Sequence, residues 1–151
     1  DLIDDEKIYR LIKTGSKTIY LKEVRIVCEA SDFIVRLYES PGIDTDNPGT
    51  TTNNLYAYNR QDINISNSGI EMWIDPNFLD TDNPDTGDMF NIYYLPGADG
   101  VGGRQQGSDA LGEWPFVLKK NTYYLVEGGR VAGSTGTAKV LLKYKIFTDE
   151  R

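Results

Sequence analysis

The sequence predicts a single all-β domain, an antiparallel two-sheet sandwich of jelly-roll-like kind. Three observations predict it. Apolar residues recur with a period of two in segment after segment, the pattern of half-buried strands. The spacers between those segments are rich in Gly, Pro, Asn, Asp, Ser and Thr, which is turn chemistry. No shift in composition divides the 151 residues, a length suited to one domain that folds without a disulfide or metal.

The elements follow in order. Asp1 to Thr14 is compatible with a helical stripe (Ile8, Leu11, Ile12, with Gly15 as C-cap) or with strand alternation, and we favour a strand because everything after it reads as β. Residues 1–16 are therefore taken as an N-terminal arm and first strand, and 17–151 as the body of the same domain. Ile19 to Cys28 is the next strand. In Asp32–Glu39, Phe33, Val35 and Leu37 share one face while Ile34, Arg36 and Tyr38 share the other. Further strands are expected at Ile63–Ile65, Ile70–Ile74, Met89–Leu95, Trp114–Leu118 and Thr122–Glu127. Tyr123 to Val126 is apolar on both faces, which suggests a central, well-covered strand. Lys120-Asn121 before it is a turn, making 114–127 a hairpin. At the C-terminal end Val140, Leu142, Tyr144 and Ile146 form an apolar face backed mostly by lysine. Three spacers are long (40–54, 75–88 and 96–112), and long connections tend to be functional or interface-forming.

Composition narrows the chemistry. The net charge is −7, whereas a phosphate-binding surface is basic, so nucleic acid is not an expected partner. There is no histidine, which removes Ser-His-Asp triads, histidine bases and histidine metal ligands. The lone cysteine, Cys28, has no intramolecular disulfide partner and reads as a small core residue in the alternating run 24–28. No signal-peptide pattern is visible, and no stretch reaches the roughly 18 apolar residues that span a membrane, so no membrane role is expected. Tyrosine dominates the aromatics, with 10 Tyr to 5 Phe and 2 Trp, and suits half-wet strand surfaces and interfaces.

Two motifs offer chemistry. Asp44-Thr45-Asp46-Asn47-Pro48 recurs as Asp80-Thr81-Asp82-Asn83-Pro84 and continues to Asp85 and Asp88. Alternating carboxylates can cage calcium, which makes Asp80, Asp82, Asp85 and Asp88 weak candidates. Pro84 occupies the third ligand position and displaces Asp85, however, and the same residues are ordinary turn formers. The Gly-rich run Pro96–Gly107 lacks the Gly-Lys-Ser/Thr ending and the helix of a phosphate loop, and reads as a surface loop in which Arg104 is an anchor for a partner. No local spacing selects a pair of catalytic carboxylates. We therefore expect no enzyme activity, no cofactor and no resident metal. Trp73 and Trp114 suit a sugar platform but more commonly fill a core. With the tyrosines and acidic loops they motivate the alternative reading, a carbohydrate-binding sandwich domain of a phage fibre or tail protein.

Several stretches, taken in order, resemble a known family. They are Leu21-Lys22-Glu23-Val24-Arg25-Ile26 followed by Val35–Glu39; Ala57-Tyr58-Asn59-Arg60; Tyr94-Leu95-Pro96-Gly97 with its glycine loop; and Glu113-Trp114 through Leu118–Leu125. Together they cover residues 17–147 and resemble the head decoration, or cement, proteins of tailed bacteriophages. The chain departs from that pattern at Pro115 and Phe116, at Lys120 where proline is common, in its last strand, and in the acidic loops 43–51 and 80–88. The resemblance implies a structural virion protein on the exterior of the capsid, assembled in the host cytoplasm. It implies the major capsid protein as partner, a homo-oligomer (dimer or trimer), and stabilisation of the shell. Tyr58, Asn59, Arg60, Arg104 and Gln105, in the loops, are the expected capsid contacts.

Overall fold

A computed structural model describes residues 7–29, 32–52, 69–95, 104–110, 116–133 and 139–148, with the backbone alone along 21–29, 95, 104–110 and 139–148. The described residues contain strands and no helix: β1 (Ile8–Lys13), β2 (Ile19–Glu29), β3 (Phe33–Glu39), β4 (Thr50–Thr51), β5 (Glu71–Ile74), β6 (Asp88–Leu95), β7 (Arg104–Ala110), β8 (Phe116–Leu118), β9 (Tyr123–Arg130) and β10 (Lys139–Thr148). The expected strand at Ile63–Ile65 lies outside the described residues, as do Trp114 and Pro115.

The strands form two sheets. The larger has the order β4-β5-β1-β9-β3-β6 and the smaller the order β10-β2-β7. β8 pairs with Ile19 to Leu21 of β2, and β7 pairs with Glu23 to Glu29, so the two lie end to end along one edge of β2. Every pairing is antiparallel.

The N-terminal segment is a strand. β1 lies inside the large sheet between β5 and β9. β9 is paired on both edges, as its two-sided apolar run requires. Its alternation divides the core in two. Leu125 points into a cluster with Leu11, Tyr38, Ile43 and Trp73. Tyr124 points the opposite way, into a cluster with Ile12, Ile19, Met72 and Leu118. Ile19 and Leu118 belong to the smaller sheet, so this second cluster joins the sheets. Phe90 of β6 adds edge-to-face contacts to Phe116 and Tyr124 at 5.5 and 6.0 Å. In β3, Phe33, Val35 and Leu37 are buried on one face as the alternation requires.

Three local expectations are corrected. Residues 114–127 do not form a hairpin, because β8 pairs with β2 while β9 pairs with β1 and β3. The Lys120-Asn121 turn exists, with Asn121 at a left-handed φ of 51° that asparagine tolerates, but it carries the chain from one sheet to the other. Thr14 fixes this crossing. Its fully buried hydroxyl donates to the Lys119 carbonyl at 2.5 Å and accepts from the Thr122 N–H at 3.0 Å. Arg104 to Gly107 belong to β7 rather than to a loop. The spacer 40–54 contains β4 and an antiparallel bridge from Ile43 to Phe78. In each case a pairing distant in sequence overrode the local turn signal.

Candidate interaction surface

The long loops are the natural place to begin, because the sequence placed function there. Both copies of the Asp-Thr-Asp-Asn-Pro repeat fold the same way. The Asp44 carboxylate accepts the N–H groups of Asp46 and Asn47 at 3.1 and 3.4 Å, and the Asp80 carboxylate accepts those of Asp82 and Asn83 at 3.0 and 3.1 Å. A leading aspartate followed two residues later by a free N–H makes this turn on its own. Asp85 accepts from Gly87 in the same manner at 2.9 Å.

The two loops are also bonded to one another. Asp44 N–H donates to the Asn77 carbonyl, Leu79 N–H to Gly42, Gly42 N–H to Asp85 and Asn77 N–H to Pro48, all at 2.9–3.1 Å. The Asn77 side-chain amide reaches the Asn47 carbonyl at 2.9 Å. This pairing lowers Ile43 and Phe78 onto the Leu11–Trp73–Leu125 cluster, where Phe78 meets Tyr9 edge-on. The loops thus cover the part of one face of the large sheet that Leu11, Trp73 and Leu125 occupy. Asp80, Asp82, Asp85 and Asp88 stay exposed, and Asp80 and Asp85 spend their carboxylates on the turn. Among the described residues no three acidic, histidine or cysteine side chains converge as a metal site would require.

Gly87 closes this loop. Its φ is +83°, and a Cβ there would lie 2.3 Å from the Glu39 carbonyl and 2.8 Å from Pro41 N. Gly87→Ala therefore combines backbone strain with a collision that no side-chain rotation relieves. A loss of about 2 kcal/mol in urea unfolding is expected, well above that of an exposed surface change.

The expected contact residues Tyr58, Asn59 and Arg60 lie outside the described residues. Arg104 and Gln105 open β7, in register with Glu29 and Cys28 of β2. The two groups therefore are not both in loops, and nothing described brings them together.

The sheet itself holds a polar constellation that the pattern reading missed. Tyr9, Glu127 and Arg36 stand in register across β1, β9 and β3. The Glu127 side chain is 4% exposed. It accepts from Arg36 Nη1 at 3.0 Å, from the Tyr38 hydroxyl at 3.3 Å and from the Tyr9 hydroxyl at 3.4 Å. Three donors compensate a carboxylate taken out of water, which is the condition for burying it. Burial and the neighbouring Glu127 charge push the Tyr9 and Tyr38 hydroxyls above their ordinary range. With both oxygens engaged and the side chain covered, this row acts as a tie across three strands. The available signal was an acid directly after the apolar run 123–126, matched by Arg36 inside another apolar strand.

A third tyrosine is perturbed on the opposite face. Burial pushes Tyr124 up to about 12; the Lys119 N–H donated to its oxygen pulls it down, and the Glu39 charge pushes it further up. Glu39 in turn pairs with the Lys119 ammonium. Below about pH 10 the phenol is neutral in both folded and unfolded chains and adds no pH dependence. Above that, the unfolded chain releases the proton while the folded chain keeps it. The unfolded state then binds fewer protons, and stability falls as pH rises toward about 12. The limiting slope is about 1.4 kcal/mol per pH unit for one such group. Thermal melts across this range should show the decline, and Tyr124→Phe should make it shallower, leaving the share of Tyr9 and Tyr38.

The remaining notable surface is β6. Met89, Ile92 and Tyr94 are 54, 49 and 57% exposed, and the Tyr94 hydroxyl donates to Asp32 at 3.1 Å. Trp73, by contrast, is buried against Tyr123 and offers no platform to solvent. Comparisons with protein-family models, curated proteins and solved structures give no match.

Proposed function

We propose that the chain is a phage head decoration protein: a non-catalytic, jelly-roll-like sandwich that binds the outer face of the major capsid protein as a homo-oligomer and stabilises the shell. The ordered series of motifs from Leu21 to Leu125 carries this reading. The core cluster shared by the two sheets supports the sandwich. A protein that binds the assembled lattice and not its dissociated subunits stabilises the assembly by mass action, and repetition over the shell multiplies weak contacts. Virion exterior, a capsid partner, and the absence of nucleic-acid, membrane or cofactor roles follow from the same reading.

The test is addition of purified protein to undecorated capsids assembled from the major capsid protein of the same phage. Saturable, stoichiometric binding and a raised capsid melting temperature are expected, with weaker occupancy for Arg60→Ala and Arg104→Ala. No binding at any salt concentration rejects the proposal, and unchanged occupancy in both variants rejects the placement of the contacts. The carbohydrate-binding alternative loses Trp73 as its platform, since that ring lies in the core. A glycan array with and without calcium discriminates the two readings.

A further inference from the structure

We propose that β6 is a self-association edge, at which two copies of the chain pair antiparallel and join their large sheets into one. This rests on the edge described above and deepens the homo-oligomer part of the capsid reading; capsid binding itself can fail without it, and it can fail without capsid binding.

Among the described residues β6 has one strand neighbour, β3, and forms one end of the six-stranded sheet. Exposed strand edges are templates for further strands, and proteins usually guard them with short length, lysine or proline. The other described edges are short or charged: β4 has two residues and β8 three, β10 carries Lys139, Lys143 and Lys145, and β7 carries Arg104 and Asp109. β6 runs for eight residues and has no charge or proline from Met89 to Leu95. Four of its side chains (Met89, Phe90, Ile92 and Tyr94) are exposed large apolar groups.

Charge identifies the occupant as a second copy. The chain carries −7, so two copies repel over most of their surface. Antiparallel pairing of β6 removes that conflict locally. About a two-fold axis, residues opposite one another must lie on the same face, and this is met with Ile92 opposite its own copy. With the bulged residue left out of the pairing, the two Asp88 carboxylates then sit at opposite ends of the pair, about 20 Å apart at roughly 3.4 Å per paired position, well beyond the ~8 Å over which salt screens them. The shift in β6 pairing between Leu37 and Tyr38 of β3 sets Met89 opposite Tyr38, on the face of Ile92 and Tyr94. Met89 of one copy therefore meets Tyr94 of the other, a favourable sulfur–aromatic contact.

The area suffices for a weak dimer. Side chains of this class bury on the order of 200 Å² when fully covered. Four that are about half open contribute about 400 Å² per copy, or about 800 Å² in all. The main-chain edges bring the total to about 1,000 Å², the lower bound of a specific interface.

Sedimentation equilibrium of the isolated protein tests this. A reversible dimer with a dissociation constant in the micromolar range, on the order of 10 µM, is expected. Ile92→Lys and Ile92→Glu replace a half-exposed side chain, so each variant should keep the wild-type melting temperature. Each should dimerise at least about tenfold more weakly, because like charges meet at the two-fold. Mixing the two variants in equal amounts should restore a dimer. A wild-type monomer at millimolar concentration, a dimer unaffected by either substitution, or a mixture that stays monomeric overturns the proposal.

Discussion

Arg36→Met should destabilise the protein by about 3 kcal/mol, among the largest effects of any single substitution outside the apolar core. The substitution removes the guanidinium that pairs with Glu127 and leaves a carboxylate with 4% of its side chain exposed, held by two phenols. Breaking one side of a buried pair costs about 3–5 kcal/mol. The lower figure applies because Arg36 is itself 25% exposed and the tyrosine hydroxyls remain as donors. The double change Arg36→Met with Glu127→Leu should recover part of the loss, since it leaves no orphaned charge. Urea unfolding of the two single variants and the double variant near neutral pH measures the coupling directly. Additive losses in the double variant would show that the ion pair is not the tie described.

Leu125→Ala should cost about 3–4 kcal/mol. Leu125 is fully buried at the middle of the central strand. It lies directly opposite Leu11 and packs with Tyr38, Ile43 and Trp73. Truncating a leucine in such a site loses its transfer energy and leaves a void, with a range of about 2–5 kcal/mol that depends on how far the neighbours collapse. Collapse is restricted here, because rings flank the site and Ile43 is pinned by the loop-to-loop hydrogen bonds. Val117→Ala, on a residue 60% exposed, is the control and should change stability by less than about 0.5 kcal/mol. Chemical denaturation of the two variants gives the comparison.

The sequence made some features legible because their causes are local. Alternation in 33–39 placed Phe33, Val35 and Leu37 on a buried face, and the two-sided run 123–126 marked β9 as central. Asp44 and Asp80 marked turns because one carboxylate and two following N–H groups are sufficient to form them. The failures share another cause. Lys120-Asn121 signals a turn, but nothing local says which sheet receives the chain after it. The Gly-rich run was assigned to loop throughout, yet β2 captures Arg104 to Ala110 in register. Glu127 was passed over because a strand-end glutamate is ordinarily solvated. Its meaning depends on Arg36 and Tyr9, which are 91 and 118 residues away in sequence. The contact residues at 58–60 were named by resemblance to a family, and local physics alone would not have singled them out.

The position of β1 also governs how the chain can be made. Its partners in the large sheet are β5 and β9, so Ile8–Lys13 is completed by a strand more than a hundred residues further along the chain. At translation rates of about 5–20 residues per second, on the order of ten seconds separate the appearance of Tyr9 from that of Glu127. During that interval Leu11 and Ile12, later buried on opposite faces, have no finished surface to cover them. Pairing over such distances is slow even in the complete chain, because loop closure must precede the contacts that reward it. The large sheet is therefore expected to close only after β9 has been synthesised, with refolding in the millisecond-to-second range rather than microseconds.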